Sequence, residues 1–86
     1  MKYATIFEYG NQELIAEVRP AHREYLGKLK EAGKLAASGP FTDDSGALII
    51  YEADSEEEAL ELIENDPFRK AGVFKSFTIK PWNQVF

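Results

Sequence analysis

The chain has 86 residues, no cysteine, 10 lysines and arginines against 15 aspartates and glutamates, and a formal net charge of −5. Without cysteine there is no disulfide or thiolate site, and without clustered cations neither nucleic acid nor an anionic membrane is an expected partner. The 44% apolar content suits one globular domain spanning residues 1–86, whose small core is expected to be enlarged by oligomerisation.

Residues 2–9 alternate Tyr3, Thr5, Phe7 and Tyr9 against Ala4, Ile6 and Glu8, which predicts a strand with apolar groups on both faces. It follows Met1 directly, with no signal-peptide core ahead of it, and no apolar run approaches the ~20 residues that span a bilayer. A cytoplasmic protein is expected. Gly10-Asn11 ends the strand, and residues 12–18 carry only a weak helical pattern in Leu14, Ile15 and Val18. The first main helix is predicted from Pro20, a residue suited to a first turn, to Ala32, with Gly33 as its stop. Residues 34–39 read as a second strand, and Pro40 with Thr42–Gly46 as a turn. Ala47–Tyr51 is an apolar third strand, so the second and third strands form a hairpin. Ser55 with Glu58 is a capping box opening a second helix to about Asn65. Asp66-Pro67 closes it, because a residue before proline avoids the helical region. A fourth strand is predicted over Val73–Lys80, with Val73, Phe77 and Ile79 on one face and Phe74 on the other. A tail begins at Pro81.

The order βαββαβ predicts an α+β, ferredoxin-like fold. Its four-stranded antiparallel sheet has the order 4-1-3-2, with two helices on one face. Apolar groups on the uncovered face predict a homodimer joined through that helix-free face.

His22 is the only histidine. Tyr25, Leu26 and Leu29 follow it at the spacings of one helix face, so it is expected to face inward near the start of its helix. Asp66 extends the stripe Ala59, Leu62 and Ile63 in the same way at the end of the second helix. The topology brings the start of the first helix, the hairpin and the end of the second helix to one end of the sheet. His22 and Asp66, 44 residues apart, thereby become expected neighbours. Asp43 and Asp44 lie at that same end and are the alternative partners. Asp66 would fix the imidazole tautomer, leaving the other ring nitrogen to exchange a proton with substrate. Arg19 is a candidate to hold a substrate carboxylate through its planar fork. Ser38, beside Gly39 and Pro40, offers a hydroxyl but lacks the strand-elbow-helix setting of a hydrolase nucleophile. One histidine without ligand spacing makes no metal site, and there is no Gly-rich phosphate loop or dinucleotide fingerprint. No cofactor is expected. The plainer readings are a histidine satisfied within the core, an aspartate serving only the turn before Pro67, and a solvated Arg19.

Arg19-Pro20-Ala21-His22, Ala37-Ser38-Gly39-Pro40, and Asp66-Pro67-Phe68 with Ala71-Gly72-Val73 resemble the YciI-related (YCII) family. The similarity runs through the chain to Lys80-Pro81-Trp82. It implies a dimeric ferredoxin-like α/β barrel and a site centred on a His/Asp pair, matched here to His22 and Asp66. Some relatives are dehalogenating or dehydrochlorinating enzymes acting on lactones and chlorinated aromatic breakdown products. The expected function is a small cytosolic enzyme performing acid–base chemistry on a small carboxylated or lactone-type metabolite. The alternatives are a dimeric module binding a small ligand in the same cleft, or a structural dimer.

Overall fold

The computed structural model describes residues 1–86. Four strands, β1 (Lys2–Tyr9), β2 (Leu35–Pro40), β3 (Gly46–Glu52) and β4 (Phe74–Trp82), form one antiparallel sheet in the order β2-β3-β1-β4. This is the expected ferredoxin-like sheet. Alternation along β1 sends Tyr3, Thr5 and Phe7 to the covered side, where they lie opposite Tyr51, Ile49 and Ala47 of β3. Gly46 opens β3 because the β1 backbone passes so close that a Cβ there would lie 1.8 Å from the Phe7 carbonyl oxygen.

Three helices cover that side: α1 (Ile15–Glu31), α2 (Glu56–Glu64) and the short α3 (Pro67–Lys70). Leu26 and Leu29 of α1, Leu62 and Ile63 of α2, and Phe68 of α3 share one core with Phe7, Ile49, Tyr51 and Phe74. Ser55 caps α2 by accepting from the Glu58 amide, as its spacing predicts. Gly33, at φ +75°, closes α1. The Gly33 and Lys34 amides donate to the Lys30 and Leu29 carbonyls, the paired bonds that a left-handed residue permits. No helix is long and apolar enough to cross a membrane.

Several boundaries differ from expectation. The first helix begins at Ile15 after a 3-10 turn at Gln12–Leu14, and Pro20 lies inside it. Pro20 removes one hydrogen bond, to the Ala16 carbonyl, but Leu14, Ile15 and Val18 pack on the core, and that burial outweighs the loss. His22 is therefore in the middle of a 17-residue helix and not near its start. α2 ends at Glu64 with Asn65 as its C-cap and Asp66 extended, as expected, but Asp66 also caps a further short helix, α3, that was not expected. β4 continues through Pro81 to Trp82, which an edge strand tolerates because its outer side needs no donor. Phe74 does not lie opposite Phe77. The β1–β4 register shifts between Glu8 and Tyr9 and turns Phe74 inward, where its ring stacks on Phe7 at 3.9 Å. The open face of β4 consequently carries Ser76, Thr78 and Lys80, with Trp82 at its end, whereas β1 and β3 keep Ala4, Ile6, Leu48 and Ile50 on theirs.

Candidate functional site

Asp66 precedes a proline, so its backbone is extended (φ −71°, ψ 129°), the geometry of a helix N-cap. Its Oδ1 accepts from the Phe68 amide at 2.8 Å. The same oxygen lies 2.7 Å from His22 Nδ1. An oxygen already accepting from a backbone N–H is an acceptor, so the imidazole proton sits on Nδ1 and Nδ1–H donates to Asp66. Asp66 is wholly buried, and Oδ2 has no partner within the chain. Arg69 anchors α3 to β4 by donating to the Phe74 and Lys75 carbonyls at 2.9 and 3.0 Å.

The imidazole is held on three sides. Phe68 stacks against its face, with centroids 3.9 Å apart and planes within 7°, and Phe74 meets it edge-on at 5.5 Å. Asp66 holds the third side. The 10% of the side chain left exposed opens on a cavity of about 170 Å³. In the neutral ring Nε2 is then the free acceptor, a base presented to a hollow and backed by a buried carboxylate.

Arg19, Ser38, Gly39 and Pro40 all line this cavity with His22. Ser38 and Pro40 pair with Ile49 and Ala47, which puts them on the covered side of the sheet. Asp66 does not reach the wall; it sits behind the imidazole. Neither Asp43 nor Asp44 partners His22. Asp43 accepts from the Ser45 hydroxyl at 2.6 Å and the Ser45 amide at 3.0 Å, bonds that hold its carboxyl below the usual range. Asp44 occupies the left-handed position of the same turn, at φ 60°. The sequence reading missed Tyr9, Arg23 and Phe68, which also line the cavity. Arg23 was legible as a residue one turn from Arg19, and Phe68 as an aromatic directly after a capped proline. A larger hollow, of about 430 Å³, lies at the far end of the sheet between Met1, Lys2, Glu52 and Trp82. It is open surface whose charges are already paired, Lys2 with Glu52 at 3.2 Å, and it holds no buried contact comparable to that of His22 with Asp66.

Tyr25, one turn beyond His22, donates its hydroxyl to the Leu62 carbonyl at 2.6 Å and ties α1 to α2. Burial, reinforced by the Asp66 charge, pushes that hydroxyl up to about 12. The unfolded chain ionises Tyr25 near 10, so its contribution is complete below pH 10 and disappears as pH rises towards 12. Tyr25→Phe should cost about 1 kcal/mol at neutral pH and remove one proton's worth of the stability loss between pH 10 and 12. Urea denaturation at pH 7 and at several alkaline pH values measures both.

The YCII-related domain pattern matches residues 1–83. An uncharacterised protein of Bacillus subtilis, YjpA, is 40% identical over 84% of this chain and 79% of that one. Protein YciI of Escherichia coli is 35% identical over 80% of this chain and 81% of that one. Among solved structures, 5-chloro-2-hydroxyhydroquinone dehydrochlorinase from Burkholderia phenoliruptrix, in complex with 2,5-dihydroxybenzoquinone, is similar at a TM-score of 0.83. It is 31% identical, over 96% of this chain and 94% of that one.

Proposed function

Because the chain belongs to the YCII-related domain family, we propose that it is a small-molecule enzyme whose base is His22, held and polarised by Asp66. The observation that carries this reading is the 2.7 Å contact between the two side chains, with the free edge of the imidazole on a cavity. A histidine serving only the core would have no need of an opening. A carboxylate serving only as a cap would not be buried with one oxygen unpartnered, an arrangement that costs about 1–3 kcal/mol.

The reaction that fits is general-base removal of a proton beside a carbonyl. His22 Nε2 takes the proton, the C–H electron pair forms a double bond, and a leaving group such as halide departs with its own pair. Asp66 stabilises the resulting imidazolium. The same arrangement serves lactone opening, with Nε2 taking a proton from the attacking water. Ser38 and Arg19 bind substrate, and Gly39 and Pro40 shape the wall. Support for an elimination comes from the dehydrochlorinase similarity at 31% identity. A panel of halogenated hydroxyaromatic acids and small lactones, followed by halide release and absorbance, tests the proposal with His22→Asn as the blank. Turnover by the wild type that the variant lacks is the expected result. Equal rates for the two proteins would overturn it.

The assembly belongs to the same reading. The helix-free face exposes Ile6, 52% accessible, beside Ala4 on the same strand and Leu48 and Ile50 on β3. Two copies meeting through this face form the homodimer, and a permanent interface of this kind buries upwards of ~2,000 Å². Light scattering at micromolar concentration should give twice the chain mass, and Ile6→Lys should shift the protein to monomer. A wild-type monomer would exclude the dimer.

A further inference from the structure

The chain is acidic, yet the cavity beside His22 is not. Eleven residues line it, none is a carboxylate, and the two that carry a permanent charge are Arg19 and Arg23. They lie four positions apart on α1, one turn of about 5.4 Å, with His22 between them. Neither forms an ion pair or a side-chain hydrogen bond within the chain. The third arginine, Arg69, bonds Glu64 and two carbonyls and lies over the Phe77 ring. Lys28 and Lys34 likewise have glutamate partners. The pocket arginines are thus the guanidiniums without a protein anion, and like charges one turn apart repel until an anion joins them.

The other polar groups at the wall agree in sign. Ser38 offers a hydroxyl donor. Tyr9 offers a phenol hydroxyl, and burial raises its pKa against the opposing pull of Arg19. Asp44 is the carboxylate that acts on Tyr9 from the adjoining turn, and it pairs with neither arginine. Resting on the reading of this cavity as the substrate site, we propose that Arg19 and Arg23 together form a clamp for a carboxylate, so that the site takes small planar carboxylic acids and rejects neutral lactones of the same shape. Arg23 then becomes a specificity-determining residue that the dyad alone does not reveal. Two planar forks grip the two oxygens of one carboxylate more firmly than either alone. The hollow is smaller than a drug-sized site of ~300–1,000 Å³, which restricts the ligand to the scale of a single ring.

Benzoate and benzamide have nearly the same shape and differ in charge, so they are the probes. Each is titrated into ¹⁵N-labelled protein near neutral pH, following the amides of Arg19, Arg23, Ser38 and Gly39. Benzoate should bind at least about tenfold more tightly than benzamide. Arg19→Gln and Arg23→Gln, both exposed on α1 and therefore compatible with folding, should each weaken benzoate about tenfold and leave benzamide unchanged. Equal binding of the two probes, no saturable shift with benzoate, or indifference to the Arg23 substitution would each overturn the clamp. The catalytic reading fails separately. A protein that selects benzoate but turns over nothing keeps the clamp and loses the enzyme. Turnover of a neutral lactone unaffected by both arginine substitutions does the reverse.

Discussion

Asp66→Asn should reduce turnover about 10²-fold while leaving the fold intact, the size of effect that a positioned acid–base group supplies. Asparagine keeps an oxygen where Oδ1 accepts from the Phe68 amide and His22, so the α3 cap survives and the negative charge behind the imidazole does not. Asp66→Ala removes cap and charge together. Losing the cap costs about 1 kcal/mol, and losing the charged hydrogen bond about 1.5–3 kcal/mol, so the alanine protein should be clearly less stable than the asparagine one. His22→Asn is the matching change on the other side. It retains a donor towards Asp66, whereas His22→Ala would leave the buried carboxylate with the Phe68 amide as its one remaining donor, and breaking a buried pair in this way costs about 3–5 kcal/mol. The loss should fall on kcat, because neither residue is required to hold the substrate acid. Added imidazole should restore part of the activity of a His22→Ala protein that remains folded. If Asp66→Asn keeps full turnover while His22→Asn loses it, Asp66 is a cap and the shuttle is wrong.

Phe68→Ala should destabilise the protein by about 3–5 kcal/mol, the range for emptying a buried phenylalanine site. Phe68 is 3% exposed, faces the His22 ring at 3.9 Å and meets Phe74 edge-on at 5.3 Å. In a domain of this size each kcal/mol moves Tm by about 4–8 °C, so thermal unfolding should shift by well over ten degrees. Phe68→Leu separates packing from chemistry. It keeps most of the volume, should cost less than about 1.5 kcal/mol, and removes the flat surface that fixes the imidazole plane. Its stability should therefore be near that of the wild type while its kcat falls severalfold. A loss below 1 kcal/mol for Phe68→Ala would show that the stacked pair carries little of the core.

The strands and their order were legible because a period of two survives in Tyr3, Thr5 and Phe7, and because βαββαβ leaves few ways to close an antiparallel sheet. The helix starting at Ile15 was not. Pro20 is a strong local signal, whereas the packing of Ile15 and Val18 depends on a sheet that a local reading does not contain. α3 was legible in principle, since an aspartate before a proline is an N-cap before a first-turn residue. The placement of Phe74 was not, because it depends on a register shift between two strands distant in sequence.

The sequence by itself determined the fold class, the inward register of His22 and the end of the sheet where the aspartates gather. Each of these follows from periodicity and connectivity, which are local or countable along the chain. It left three aspartates competing for one histidine. Tertiary structure decided among them through hydrogen-bond geometry. Asp43 turns its carboxylate to the Ser45 amide and hydroxyl, while Asp66 is aimed inward by its extended backbone and by the Phe68 amide. Only the packed structure also placed Arg23 at the cavity wall. A helix surface reads as solvent in the sequence until the opposing strand, here Ser38–Pro40, approaches closely enough to enclose a hollow against it.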